Sequence, residues 1–529
     1  MSVVTNSATD KDVRRTLVAA VSRAAHLWAW GCPWQYTIRE STLSNSLSFL
    51  PSGDRPVNDT ELQVTLPKIA KRLTGGVETQ RLPGLAVGIV SDQRLFWCHG
   101  LGAADRATGS LLDQHTLFRV ASITKTFTTT AILQLRDSGR LSLDDPLQRH
   151  IPEFATAQGR GGSVQGVTLR RMMSHHAGLM TEAPLPCWDA LEFPTHEQLL
   201  KSIARIEVVI PQESAFKYSN LAFGLLGEVV ARVSGRPYIE YVTSEILRPL
   251  ELESTTFEVS DEQRTRLATG YSPGESGEAG KPAPHVALNG LAACGGLYSS
   301  VGDLARWIGH QFCSGPDRTD SQVLAGTTIA ESHRPQYLEA DWSVAYCLGW
   351  RANRFGDRVY HGHGGGIYGF ASQILFSKPH QLGVICLANV WPYAGLLGLA
   401  REVLDLVLAG QTVTAPSQQT AEDSAPPEVH ELLGSYTAGP GIVLMVEYRG
   451  GSLRLAAVPG SDDFLHVPGT LEVAETPREF IVRGGRGSGE TVVFELSDDG
   501  DSMQFDLGGF VYRRIAAGGQ EKTGAARVE

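Results

Sequence analysis

The sequence predicts an α+β chain of the broad α/β class: a large unit with an antiparallel sheet and a helical subdomain, followed by a small all-β domain. Three observations predict it. First, β-forming runs lie at both ends of the large unit. "PGLAVGIVSDQRLFWCHGLG" reads as two strands around Ser91-Asp92-Gln93, and "VYHGHGGGIYGFASQILFSKPHQLGVICLAN" reads as two more joined by a Lys-Pro turn. Second, the segments between them carry a 3.6-residue apolar period. Third, short alternating runs separated by Gly/Asp turns recur after residue 428. Strands that must pair across an intervening helical stretch make an α+β layout.

Residues 1–57 form an N-terminal extension. Its stretch "VRRTLVAAVSRAAHLWAW" sets an arginine pair before an apolar run, but Arg23 and His26 interrupt that run, so an amphipathic helix packed on the domain is expected rather than an export signal. The large unit covers 58–410. It opens with "DTELQVTLPKIAKRL", helical in period, where Pro67 predicts a kink or a late start. "SITKTFTTTAILQLRDSGRLSLDDPL" is a helix stopped by Gly139. "VTLRRMMSHHAGL", "SNLAFGLLGEVVARVSG" and "YIEYVTSEILRPL" are further helices with Gly or Pro stops, and "GGLYSSVGDLARWIGHQF" is a strand followed by a helix. Residues 411–428, polar and Pro-bearing, are a linker. Residues 429–515 are the all-β domain, and 516–529 a disordered tail.

A chain of 529 residues exceeds what one core needs. A net charge of −11 gives no electrostatic footprint for nucleic acid. The seven cysteines are scattered without a CxxC pair, as buried thiols in a reducing, cytoplasmic setting would be. The most apolar long window, "GVICLANVWPYAGLLGLA", contains Asn389 and Pro392 and makes no membrane span.

The chemistry centres on "RVASITKTFT". Ser122 and Lys125 sit at i and i+3 on a helix, roughly 5–6 Å apart at Cβ, and a serine becomes a nucleophile only if a neighbour takes its proton. The spacing alone decides little, since "SAFK" repeats it at Ser214 and Lys217, a copy read as chance. Its company decides more. Tyr218-Ser219-Asn220 is the only Tyr-x-Asn in the chain, and His363 heads a glycine run in "HGHGGG". His361, His363 and the His175-His176 pair lack the third ligand and nearby acid of a zinc hydrolase, so neither metal nor other cofactor is expected. No Gly-x-Ser-x-Gly elbow is present.

"SITK", "YSN" and "HGG", in this order, resemble the three signature elements of the serine β-lactamase and penicillin-binding-protein superfamily. The likeness is to its class C-related branch, with its esterases, D-aminopeptidases and acyltransferases. "LDDPLQRHIPEF", "VTLRRMMSHHAGL" and "YHGHGGGIYGF" are similar to family phrases too, and together they span most of 60–405. The resemblance implies a β-lactamase/transpeptidase-like fold. It makes Ser122 the acyl-accepting nucleophile, Lys125 its base and Tyr218 the partner general acid or base. Asn220 would bind the substrate or Lys125. His363 would stand where penicillin-binding proteins carry the lysine of Lys-Thr-Gly, with Gly364 and Gly365 completing that element. The N–H groups of Ser122 and Gly366 would form the oxyanion hole, a donor of which is typically worth roughly 3–4 kcal/mol of barrier.

Histidine in place of that lysine removes a fixed positive charge and shifts the expected substrate from β-lactams toward neutral small-molecule esters, amides or thioesters. A serine hydrolase is the first expectation. An acyltransferase or cyclising thioesterase shares every catalytic residue, and a non-catalytic binding protein would not need the intact Ser/Lys/Tyr set. The C-terminal domain resembles the lipocalin-like modules of some family members, through phrases such as "ELLGSY", and would cover the cleft or mediate self-association.

Overall fold

The computed structural model describes residues 56–515 apart from 58, 81, 189, 273–279, 316–322, 392, 394, 409–424, 440–441, 450, 458–468, 475, 477, 485–486, 498–501 and 509. Nearly all of the expected extension, most of the expected linker and the expected tail lie outside the described residues.

The chain enters through α1 (Asp59–Gln80), which runs straight through Pro67 rather than starting after it. Leu62, Ile69 and Leu73 are all buried in one core cluster, and that burial outweighs the hydrogen bond Pro67 cannot donate. The expected hairpin follows as β1 (Gly84–Ser91) and β2 (Arg94–Gly102). A two-residue strand β3 (Phe118–Arg119) then leads through a 3₁₀ turn, Ala121–Ile123, into α2 (Thr124–Asp137). Later come α3 (Asn220–Ser234), β4 (Tyr298–Ser299), which pairs with β3, and α4 (Val301–Gln311).

The remaining strands of the main sheet are β5 (Tyr337–Leu338), β6 (Val344–Tyr346), β7 (Arg351–Phe355), β8 (Arg358–Ile367), β9 (Phe370–Ser377) and β10 (Leu382–Ala388). The late segment read as two runs is therefore three strands. The sequence reading missed the turn at Tyr368-Gly369, where Gly369 adopts a φ of +77° that favours glycine. The sheet is antiparallel throughout, in the order β2-β1-β10-β9-β8-β7-β6-β5.

Both faces of this sheet are covered, which explains why β1, β9 and β10 are buried along their whole length and why β1 and β10 are largely apolar runs. Side chains alternate between the two cores. Ala86 and Val90 join the core that holds α2 and α4. Leu85, Val87 and Ile89 join the one that holds α1 and α5 (Leu396–Leu408). α2 is buried nearly all round, so its threonine hydroxyls bond backwards to carbonyls, Thr126 to Ile123 and Thr130 to Thr126. Such bonds let "TKTFTTT" sit in a core. No helix among the described residues is long and apolar enough to cross a membrane. The six described cysteines are free thiols, four of them buried.

After α5 the described residues build nine short antiparallel strands, from β11 (Gly434–Gly439) to β19 (Phe510–Arg514) in chain order. They form a nearly closed barrel. β11 and β19 pair through Tyr436↔Arg514, and the ring stays open between residues 491–493 and 495–496. Tyr436, Phe480, Phe494 and Phe505 fill it.

Five of the six buried histidines among the described residues make the fold sensitive to acid. Burial pushes His176 and His310 down to about 4, His361 and His363 down to about 3, and His333 well below its ordinary value. The unfolded chain takes up these protons below pH about 6.5 and the native state does not. The stabilisation is therefore complete above that pH and is lost as pH falls, by roughly 1.4 kcal/mol per pH unit per histidine. The urea midpoint is expected to fall steeply between pH about 6.5 and 5, and His361→Gln to flatten that slope. A midpoint independent of pH in this window would contradict it.

Candidate active site

Ser122 stands in the 3₁₀ turn at the head of α2, and the residue before it, Ala121, is held at a φ of +44°. A non-glycine residue there is strained, and strain of this kind collects at functional sites. Lys125, one turn on, has no exposed surface. Its Nζ lies 3.0 Å from Ser122 Oγ, 2.8 Å from Asn220 Oδ1 and 2.7 Å from the Cys294 carbonyl oxygen. The faces of Tyr218 and Phe223 complete its surroundings, with ring centroids at 4.9 and 5.5 Å. The Tyr218 hydroxyl donates to Ser122 Oγ at 2.9 Å.

Three of the predicted residues thus meet at one serine oxygen, and Asn220 meets them at Lys125. Asn220 opens α3 and is oriented by Glu182, whose carboxylate takes its Nδ2 at 2.7 Å. That leaves Oδ1 for the lysine. Tyr218 is held by His175. The His175 carbonyl accepts the Lys217 N–H at 2.9 Å, its Nδ1 accepts the Ser219 N–H at 3.1 Å, and the His175 and Tyr218 rings lie 4.2 Å apart.

β8 carries His363, Gly364, Gly365 and Gly366 past this group, paired with β9 in the register His363↔Ile374 and Gly365↔Ser372. A Cβ on Gly365 would fall 2.3 Å from the Val120 carbonyl and 2.9 Å from the Ser122 nitrogen, and one on Gly366 would fall 2.2 Å from Trp391 Nε1. The glycines let the strand lie against the nucleophile's backbone. His363 is buried, and its Nδ1 bonds the Gly364 carbonyl at 2.6 Å. Burial, the largest cause, pushes it down to about 3, so its imidazole is neutral.

The cavity at Ser122 is narrow, about 20 Å³, and aromatic. Trp188, Trp391 and Phe510 line it together with Asn220 and Gly366. The Trp188 and Phe510 rings stack at 6.2 Å, and Phe510 belongs to the barrel. Sequence reasoning missed Glu182, the Cys294 carbonyl, His175 as a support, and this aromatic wall. "SHHAGL" and "TEAPLPCWDALEFP" held signals for some of them, but a carbonyl has no sequence signature.

A β-lactamase family model matches residues 69–409. Protein flp of Staphylococcus aureus (strain N315) is 26% identical over 344 residues, 64% of each chain. β-Lactamase-like protein 2 of Dictyostelium discoideum is 26% identical over 360 residues, 65% of this chain and 63% of that one. The chain thus spans 64% of the first of these relatives and 63% of the second. Three solved structures share the fold. A penicillin-binding protein homologue from Pyrococcus abyssi, described as octameric, has a TM-score of 0.55 at 22% identity over 85% of this chain and all of its own. SurE has a TM-score of 0.56 at 22% identity over 86% and 99%. A class C β-lactamase from Rhodobacter sphaeroides has a TM-score of 0.54 at 24% identity over 64% and 98%.

Gly365→Ala is expected to cost roughly 10²-fold in turnover, because its Cβ meets backbone that cannot yield. Gly364→Ala meets only the end of the Gln373 side chain and should lose far less. Steady-state kinetics on a p-nitrophenyl ester compares them, and equal losses would contradict the close approach.

Proposed function

The chain belongs to the β-lactamase family, and on that footing we propose that it is a serine hydrolase working through an acyl-enzyme on a neutral ester, amide or thioester. The observation that carries the reading is the partner set of Lys125. Asn220 Oδ1 and the Cys294 carbonyl can only accept, whereas the Ser122 hydroxyl also holds a proton. An amine that gives its two N–H groups to the first two partners points its lone pair at the third. Lys125 then takes the proton as Ser122 Oγ forms its bond to the substrate carbonyl carbon.

The carbonyl oxygen gains charge beside the N–H groups of Ser122 and Gly366. As the bond to the leaving group breaks, that group is protonated from the Lys125–Tyr218 pair. Water then attacks the acyl carbon and gives a proton to the same pair; the bond from that carbon to Ser122 Oγ breaks, the pair returns the proton to Oγ, and the acid leaves. Neutral His363 supplies no fixed cation for a substrate carboxylate, which supports a neutral substrate over a β-lactam. The narrow, aromatic-lined cavity favours transfer to an alcohol or amine as a second reading, since it leaves little room for water around the acyl carbon.

Wild-type protein is expected to turn over p-nitrophenyl esters and to show an acyl adduct by intact mass, with both lost in Ser122→Ala. Added alcohols or amines that raise turnover and yield acylated products would favour transfer. Tyr218→Phe should keep the fold and lose roughly 10²–10⁴ in rate. Undiminished turnover in Ser122→Ala would overturn the reading.

A further inference from the structure

The second Ser-x-x-Lys copy holds no nucleophile and base. Ser214 Oγ turns back to the Pro211 carbonyl at 2.7 Å. Its lysine, however, is as buried as the catalytic one. Lys217 has no exposed side-chain surface, donates to Thr181 Oγ1 at 2.8 Å and forms an ion pair with Glu490 Oε1. A buried ammonium needs a counter-charge, and this one comes from the barrel.

Glu490 reaches further than Lys217. Its Oε1 also accepts the Thr181 hydroxyl at 2.8 Å, and its Oε2 accepts the Gly508 N–H at 3.0 Å. Each contact sits next to the site. Lys217 precedes Tyr218. The Thr181 carbonyl accepts the Asn220 N–H at 2.8 Å, and Thr181 precedes Glu182, which orients the Asn220 amide. Gly508 lies two residues before Phe510, which lines the nucleophile's cavity. The turn that carries Glu490 is docked tightly. Arg160 donates to the Gly489 carbonyl at 3.0 Å, and a Cβ on Gly489 would fall 2.2 Å from Ile210 Cγ2.

We propose that Glu490, from the C-terminal barrel, is a positioning residue that fixes Tyr218, Asn220 and Phe510 around Ser122, with Lys217 as its buried partner. The barrel is then part of the catalytic apparatus as well as a cover. This inference rests on the acyl-enzyme reading. A displacement of about 1 Å at such a site can cost about 10²-fold, so loss of one carboxylate some distance from the serine is enough to slow acylation.

The test uses the full chain with p-nitrophenyl acetate, comparing wild type, Glu490→Gln, and the double variant Lys217→Met/Glu490→Met. Acylation rate, the kcat and KM split, the pH–rate profile and thermal midpoint are read for each. Glu490→Gln should lower kcat about 10²-fold with little change in KM, and should displace a limb of the pH profile. The double variant removes the uncompensated buried charge, so its thermal midpoint should recover toward wild type while its kcat stays low, because the Thr181 and Gly508 tethers remain broken. A contact that only stabilises the docked barrel would move the midpoint and leave kcat and pH profile unchanged in the folded double variant. That result overturns the inference and leaves the acyl-enzyme reading standing. Absence of any acyl adduct in wild type sinks that reading and takes this inference with it.

Discussion

Lys125 is a long side chain ending in an amine that has no contact with water, and such a group is tolerated only where acceptors surround it. Its three partners come from three parts of the chain: the turn at the head of its own helix, the start of α3, and the carbonyl of Cys294. Satisfying one amine therefore brings together segments up to 169 residues apart. Of the three, the serine is the one partner that can give up a proton.

The main sheet supplies the opposite wall. Because both of its faces are covered, β8 is held rigidly enough for a glycine backbone to lie against the nucleophile's own peptide. A rigid strand facing a buried amine is a sound base for chemistry, since preorganised groups do not have to rearrange as charge develops. The barrel adds the aromatic ring of Phe510 to the cavity and the carboxylate of Glu490 to Lys217. A single carboxylate thereby couples the remote domain to the residues that face the serine.

Much of this is legible in the sequence. Ser122 and Lys125 are marked by helical spacing, Tyr218 and Asn220 by a unique tripeptide, and His363 to Gly366 by an unusual run. The hairpin of β1 and β2 and the helix stop at Gly139 also follow from local chemistry. What is not legible depends on tertiary placement. Pro67 inside α1 is overruled by burial, and the turn before β9 hides in a glycine-rich stretch already read as strand. The Cys294 carbonyl, Glu182 and Trp188 arrive by loop folding. Lys217 looked like coincidence because its partner, Glu490, is 273 residues away in another domain.

The proposed chemistry turns on transfer of the Ser122 proton to Lys125. Single-turnover acylation of Lys125→Met by a p-nitrophenyl ester, with the fold checked by circular dichroism, addresses it directly. A folded variant is expected to acylate more slowly by roughly 10²–10⁴-fold. A folded Lys125→Met that acylates at the wild-type rate would contradict it.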